Sequence, residues 1–153
     1  MIYLISGTGI GAGKTTLAHK LTPHVYSLAD GIREELSAEY PQYKWYDRSQ
    51  ASKLTICQPT GKTLRQEMVE RGQERCKQDP TYWPRRLYNT VDWGAMHGAV
   101  AIDDVRKIVE VQYFKEMFGS LCLHLHVQWP DAVVEPLYDD LSKVADYIVM
   151  RQA

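Results

Sequence analysis

The sequence has no long apolar segment, no excess of basic charge and few cysteines. It carries 18 Lys and Arg against 19 Asp and Glu, so a broad nucleic-acid-binding surface is not expected. The apolar run at the N-terminus is about five residues long, far short of the ~18 residues of a membrane helix, and it lacks a basic leader. Three cysteines without metal-ligand spacing indicate reduced thiols in a cytoplasm. We therefore expect a cytoplasmic protein that is neither exported nor inserted in a membrane.

The apolar pattern predicts one α/β domain over residues 1–153. Short apolar strands are predicted to begin near Ile2, Val25, Ala99, Leu121 and Asp146. Helical stretches separate them, including a firm one over 63–78. This alternation is typical of a parallel sheet covered by helices on both faces. Ligands of such sheets bind beyond the carboxyl ends of the strands.

The stretch after the first predicted strand has the pattern of a phosphate-binding loop. Its glycines would let backbone N–H groups surround phosphate oxygens at the start of a helix. Lys14 would reach the β and γ phosphates of ATP, and the Thr15 hydroxyl would hold Mg²⁺. The predicted nucleotide-binding residues are Gly9, Ile10, Gly11, Ala12, Gly13, Lys14, Thr15 and Thr16.

The spacing of this loop departs from the strict pattern, which requires glycine where the chain has Thr8. Either the loop is one residue longer, or Thr8 takes the place of the first glycine. The alternative is that this stretch is only a glycine-rich turn with a surface lysine and binds no nucleotide.

Two acids, Asp103 and Asp104, follow the apolar run Ala99-Val100-Ala101-Ile102. An acid at the end of a strand beside a phosphate loop orients Mg²⁺ directly or through its water. The alternative is that an aspartate here caps a helix. We expect a metal role for at least one of the two, and assign Asp103 with Thr15 to the metal.

A basic segment over 62–86 contains seven basic and four acidic side chains. Arginine grips phosphate with two parallel hydrogen bonds, and phosphoryl transfer needs positive charge around the moving group. We expect at least one of Arg65, Arg71 and Arg75 to bind a ligand. An ordinary surface pair between Glu67 and Arg71 is the alternative.

These motifs together resemble the deoxynucleoside monophosphate kinases of tailed phages, a branch of the P-loop nucleoside monophosphate kinases. The resemblance spans most of the chain. It depends on the loop ending Gly13-Lys14-Thr15-Thr16, on Leu28-Ala29-Asp30 leading through Gly31-Ile32-Arg33, and on Thr60-Gly61-Lys62-Thr63-Leu64-Arg65-Gln66. It continues with Arg75, Asp79-Pro80 and Trp83, with Asp103-Asp104-Val105-Arg106 and Glu110, and with Asp146-Tyr147-Ile148-Val149.

The resemblance implies a three-layer P-loop kinase fold with a parallel five-stranded sheet, and a helical acceptor-binding segment at about 42–98. The implied activity is ATP-dependent phosphorylation of deoxynucleoside monophosphates to diphosphates, with ATP and Mg²⁺, in the cytoplasm (of the host, if the gene is a phage's). The binding partners would be small-molecule nucleotide substrates. Whether the protein forms a homodimer is left open. The resemblance and the basic segment together predict the residues that bind the acceptor nucleotide. They are Asp30, Arg33, Lys62, Arg65, Arg71, Arg75, Asp104 and Arg106. The predicted catalytic residues are Lys14, Arg65, Arg75, Asp104 and Arg106.

Two other functions remain open at this point. A small-molecule kinase similar to dephospho-coenzyme A kinase would phosphorylate an alcohol, so an acid such as Asp30 would act as a base. A nucleotide-binding switch would use the loop without any acceptor. The family resemblance also has a gap, because residues 121–150 contain no arginine, whereas many monophosphate kinases carry lid arginines there.

Overall fold

The structure is a computed structural model, which describes residues 1–9, 11–95, 98–133 and 139–152. Five parallel strands form the main sheet, in the order β2-β5-β1-β6-β7. They are β1 (Ile2–Gly7), β2 (Val25–Tyr26), β5 (Val100–Ile102), β6 (Cys122–Gln128) and β7 (Tyr147–Met150). The expectation of an α/β fold with a five-stranded parallel sheet flanked by helices is confirmed.

Six α-helices and a small hairpin surround this sheet in the described part of the chain. The hairpin pairs β3 (Ile56–Cys57) with β4 (Lys62–Thr63) in antiparallel register. The helices are α1 (Lys14–Leu21), α2 (Ala29–Glu39), α3 (Gln50–Lys53), α4 (Leu64–Gln78), α5 (Tyr82–Thr90) and α6 (Ile108–Phe118). Short 3₁₀ turns lie at Trp93–Ala95, Gly119–Leu121 and Leu141–Lys143.

The two faces of the sheet bury different helices, because side chains alternate along each strand. Leu4 and Ile102 pack with Phe114 of α6 and Leu87 of α5 on one face. On the other face, Ile5 and its neighbours pack against Ala18 of α1. The loop before α1 therefore lies at the carboxyl end of β1, the central strand.

A second core joins α2 and α4 to the segment between them. It contains the buried side chains of Leu36, Trp45, Cys57 and Leu64. Thr63 begins α4 with a capping box, in which its hydroxyl accepts from the Gln66 N–H and the Gln66 side chain accepts from the Thr63 N–H. This explains why the helix predicted over 63–78 is observed at Leu64–Gln78.

One predicted element is shorter than its apolar pattern suggests. The strand expected over 25–30 ends at Tyr26, and α2 begins at Ala29 instead of at Gly31. The Asp104 carboxylate binds the Leu28 and Ala29 N–H groups, which starts the helix early. None of the helices in the described residues is long and apolar enough to cross a membrane.

Candidate active site

The glycine-rich loop turns sharply between β1 and α1. Gly11 and Gly13 adopt φ angles of 79° and 96°, a region that residues with a Cβ rarely enter. Gly13 comes directly before Lys14, the first residue of α1. A Cβ added to Gly7 would lie 2.9 Å from the Lys14 Cγ, so the lysine stem passes directly over the end of β1. The predicted loop residue Ile10 lies outside the described residues.

Thr8, the residue that breaks the strict loop pattern, anchors the loop to the end of β6. Its N–H donates to the Val127 carbonyl at 3.1 Å. Its hydroxyl donates to the Trp129 carbonyl at 3.1 Å and accepts from the Trp129 N–H at 3.2 Å. The side chain thus provides a fixed attachment that a glycine could not provide.

A cavity of about 660 Å³ opens between the loop with the start of α1 and the ends of β6 and β7. Lys14, Thr15 and Lys20 line it on one side, and Val149 and Arg151 on the other. Its position beyond the carboxyl ends of parallel strands is where such sheets bind ligands. The volume falls in the range of small-molecule sites.

Asp103 connects the start of α1 to the residue that follows β2. It is 2% exposed, and its two carboxylate oxygens accept from the Thr15 hydroxyl at 2.9 Å and the Ser27 hydroxyl at 2.5 Å. Arg48 donates to the same Ser27 hydroxyl at 3.2 Å. A continuous chain of hydrogen bonds therefore runs from Thr15, at the end of the glycine-rich loop, to Arg48.

Asp104, the neighbouring acid, caps a helix. Its oxygens accept from the Leu28 N–H at 2.6 Å and the Ala29 N–H at 2.9 Å. Burial raises the pKa of its carboxyl group, and the positive charge of Arg106 acts against that rise. The sequence allowed two roles for this acid pair, a metal ligand and a helix cap. Asp103 contacts the loop threonine, whereas Asp104 caps the start of α2.

Four arginines lie within electrostatic range of Lys53. Burial lowers the pKa of Lys53, and the charge of four surrounding arginines lowers it further. Those four are Arg65, Arg33, Arg48 and Arg106. We call these five residues the cationic cluster.

The acids nearest to the cationic cluster compensate only part of its charge. Asp30 accepts from Arg33 at 2.8 Å and lies 4.0 Å from Arg48. Arg33 is 9% exposed, and its buried Nε has no hydrogen-bond partner among the described residues. Buried donors are rarely left unpaired, and the positive charge of the cluster exceeds the one acid paired with Arg33, so the cluster would attract an anion.

The other predicted acceptor residues lie apart from this cluster and are paired with acids. Arg71 contacts Glu35 at 3.3 Å and also Glu39. Arg75 contacts Glu35 at 3.2 Å, and Lys62 is paired with Glu70 on the exposed side of α4. Among the predicted residues, Asp30 and Arg33 thus form an ion pair, and Arg33, Arg65 and Arg106 all act on the charge of Lys53. Arg71 and Arg75 are instead paired with acids of α2, and Lys62 of β4 is paired with Glu70 of α4.

The sequence analysis missed Arg48 and Lys53. Both lie in the segment of about 42–98 that the resemblance assigns to acceptor binding, but neither is among the predicted site residues. Their only signal in the sequence is positive charge, which does not indicate where a side chain will point.

The oxygen atoms beside the loop fit a magnesium ion. No group of three or more His, Cys, Asp or Glu side chains in the described residues could hold a metal ion alone. Mg²⁺ at phosphate sites uses one or two carboxylates together with substrate phosphates and water. Thr15 and Asp103, joined at 2.9 Å, supply one hydroxyl and one carboxylate of this kind.

Comparisons with known proteins were made through both family models and individual curated sequences. No family model matches the chain, and no curated protein matches it.

Proposed function

We propose that this protein is a P-loop kinase that transfers a phosphoryl group from ATP to deoxynucleoside monophosphates. The observation that carries this proposal is the hydrogen-bond chain Thr15-Asp103-Ser27-Arg48. It joins the loop suited to a triphosphate directly to the cationic cluster suited to a second phosphate. Phosphoryl transfer between nucleotides requires two phosphate sites held next to each other, and this chain connects two candidates.

The donor half of the site consists of the loop and the start of α1. Backbone N–H groups around Gly11 and Gly13 and the partial positive charge at the start of α1 favour phosphate oxygens. Lys14 adds a full positive charge at the same end of the cavity. When bound, Mg²⁺ would be held by Thr15 and Asp103 and would neutralise charge on the phosphates.

The acceptor half is the cationic cluster. A phosphate monoester is largely a dianion at neutral pH, because its second pKa is ~6. Such an acceptor already carries a nucleophilic oxygen, so it needs positioning and charge neutralisation and no strong base. Arg33, Arg48 and Arg65 would hold the monophosphate, while Asp30 fixes Arg33 through their 2.8 Å ion pair.

The contacts of the nearby acids disfavour an alcohol kinase. A hydroxyl acceptor needs a base within hydrogen-bond reach. Asp30 is paired with Arg33, Asp104 caps α2 and Asp103 accepts two hydroxyl hydrogen bonds. A nucleotide-binding switch, in turn, would have no use for the cationic cluster.

A coupled assay of ADP formation tests this function. We expect ADP release from MgATP to depend on an added deoxynucleoside monophosphate, with each of the four bases and the matching ribonucleotides assayed in turn. Lys14→Ala should lower turnover by at least ~100-fold, because it removes charge next to the transferred group. Arg65→Ala should raise the KM for the monophosphate far more than the KM for ATP.

The exposed arginine Arg85, which pairs with Asp79 and belongs to none of the proposed sites, provides a matched control. Arg85→Ala should leave both KM values near those of the natural protein. An absence of ADP formation with every monophosphate, or full activity in Lys14→Ala, would refute the proposed function.

A further inference from the structure

Arg151 is fixed above the phosphate loop by three contacts. Its N–H donates to the Gln128 carbonyl at 3.0 Å, which ties it to the end of β6. Its guanidinium lies 4.1 Å from the centre of the Trp129 ring and donates a hydrogen bond to the Gly11 carbonyl. An arginine stacked on a tryptophan is held in one orientation by the ring's negative face.

Arg151 holds the Gly11 carbonyl, and the orientation of this carbonyl fixes the direction of the next N–H, that of Ala12. In a trans peptide the C=O and the following N–H point in opposite directions. A donor that holds the Gly11 carbonyl therefore also fixes the direction of the Ala12 N–H. That N–H closes the turn by donating to the Gly9 carbonyl at 3.3 Å. By holding this peptide, Arg151 keeps the loop in one shape, and the shape of such loops decides how their backbone groups meet phosphate oxygens.

The same two side chains restrict the glycines of the loop. A Cβ at Gly11 would lie 3.2 Å from the Trp129 ring, and a Cβ at Gly13 would lie 3.7 Å from the Arg151 Cδ. Trp129 is itself bonded to Thr8 through its N–H and its carbonyl. The loop is thus supported from the side away from β5 by Trp129 and Arg151, and Thr8 is its point of attachment to Trp129.

We propose that Arg151 is a positioning residue for the phosphate loop, acting through the Gly11–Ala12 peptide with Trp129 as its platform. Its ligand class is the polyphosphate chain of the donor nucleotide, which binds the loop that this peptide shapes; Arg151 itself does not contact the base. This inference rests on the donor half of the proposed function.

Binding measurements on Arg151→Ala, Arg151→Lys and the natural protein test the inference. The probes are MgATP, measured by calorimetry, and magnesium tripolyphosphate, measured by its competition with MgATP. We expect Arg151→Ala to weaken both by about tenfold and by similar factors, since both ligands use the same loop. Arg151→Lys should recover part of the loss, because lysine can donate to the carbonyl but cannot stack as a plane on Trp129.

Two further readouts separate positioning from a general loss of structure. Arg151→Ala should raise the KM for ATP without raising the KM for the monophosphate, whereas a damaged fold would impair both. Arg85→Ala, which removes an equally exposed arginine, should bind both probes as the natural protein does.

The outcomes distinguish this inference from the proposed function. If transfer to monophosphates occurs but Arg151→Ala binds MgATP normally, the inference is wrong and the function stands. A loss for MgATP without a loss for tripolyphosphate would place Arg151 on the base and also overturn the inference. If no monophosphate is phosphorylated but Arg151→Ala loses both probes equally, the inference holds and the function is wrong. Binding of neither probe by the natural protein would overturn both.

Discussion

At the scale of single residues, two neighbouring aspartates that directly follow β5 make separate contacts. Asp103 accepts from the hydroxyls of Thr15 and Ser27. Asp104 accepts from two N–H groups at the start of α2. The first set of contacts belongs to the candidate site, and the second holds the helix that carries Asp30 and Arg33.

Separate substitutions of these aspartates should therefore have different effects. Asp103→Asn removes the carboxylate beside Thr15, and we expect kcat to fall by roughly 100-fold or more at saturating MgATP. Asp104→Ala removes a cap, and we expect the free energy of unfolding to fall by about 1–2 kcal/mol, with a change in kcat of less than about tenfold. Urea denaturation and the coupled assay, run on both variants, measure the two effects. Equal loss of kcat in both variants would contradict the separation.

The residues also show how far the sequence could predict the site. The placement of Asp103 beside Thr15 was predictable, because both positions follow from local spacing at the ends of strands. Arg48 and Lys53 were not, because the short helix α3 and the segment before it have no apolar period, and their position depends on packing against distant residues such as Leu36. Arg71 and Arg75 were assigned to a ligand from charge alone, and their partners on α2 lie more than thirty residues away along the chain.

At the scale of elements, one carboxylate of α2 holds two other helices. Glu35 accepts from Arg71 and Arg75 of α4 and from Arg86 and Tyr82 of α5. Burial would raise the pKa of Glu35, but hydrogen bonds from Tyr82 and Arg75 hold it below its usual value. Three basic side chains of the segment 62–86 therefore join α4 and α5 to α2. These contacts hold in place the helix that carries Arg33 of the cationic cluster.

Removal of this carboxylate should loosen all three helices. Glu35→Ala leaves three arginines without their shared partner, and we expect a loss of about 2–4 kcal/mol in the free energy of unfolding, since the side chain is largely buried. Glu74→Ala removes an exposed acid of α4 and should change stability by less than ~0.5 kcal/mol. Urea denaturation of both variants provides the measurement. A loss in Glu35→Ala no larger than in Glu74→Ala would mean that the arginines are not held by Glu35.

At the scale of the whole molecule, the centre of the sheet contains a buried polar group. The Ser6 hydroxyl of β1 lies 2.7 Å from the His124 Nε2 and 2.8 Å from the His126 Nδ1, both of β6. Burial lowers the pKa of His124 to about 4 and also lowers the pKa of His126. Near α6, burial has the opposite effect on an acid and raises the pKa of Glu110 to about 7.

These shifts predict how stability depends on pH. Between pH 6.5 and about 4 the unfolded chain binds protons at His124 and His126 that the folded chain does not, so acidification lowers stability. Glu110 acts in the other direction between pH 4.5 and about 7, because there the folded chain binds the extra proton. Burial also raises the pKa of Asp104, so this acid acts with Glu110 against the histidines. The natural protein should lose stability most steeply below pH 4.5, where Glu110 no longer opposes the histidines.

Two substitutions should change this slope in opposite directions. Glu110→Gln removes the opposing proton and should steepen the loss between pH 7 and 5 by up to ~1.4 kcal/mol per pH unit. His124→Gln removes one of the titrating groups, while its amide can still bond to Ser6, and it should make the loss between pH 6.5 and 4 shallower. The measurement is the free energy of urea unfolding at half-unit steps from pH 4 to 7.5 for the three proteins. Parallel curves would show that neither group changes its proton affinity on folding, and the buried pair in the central sheet would then have no part in the acid sensitivity of the fold.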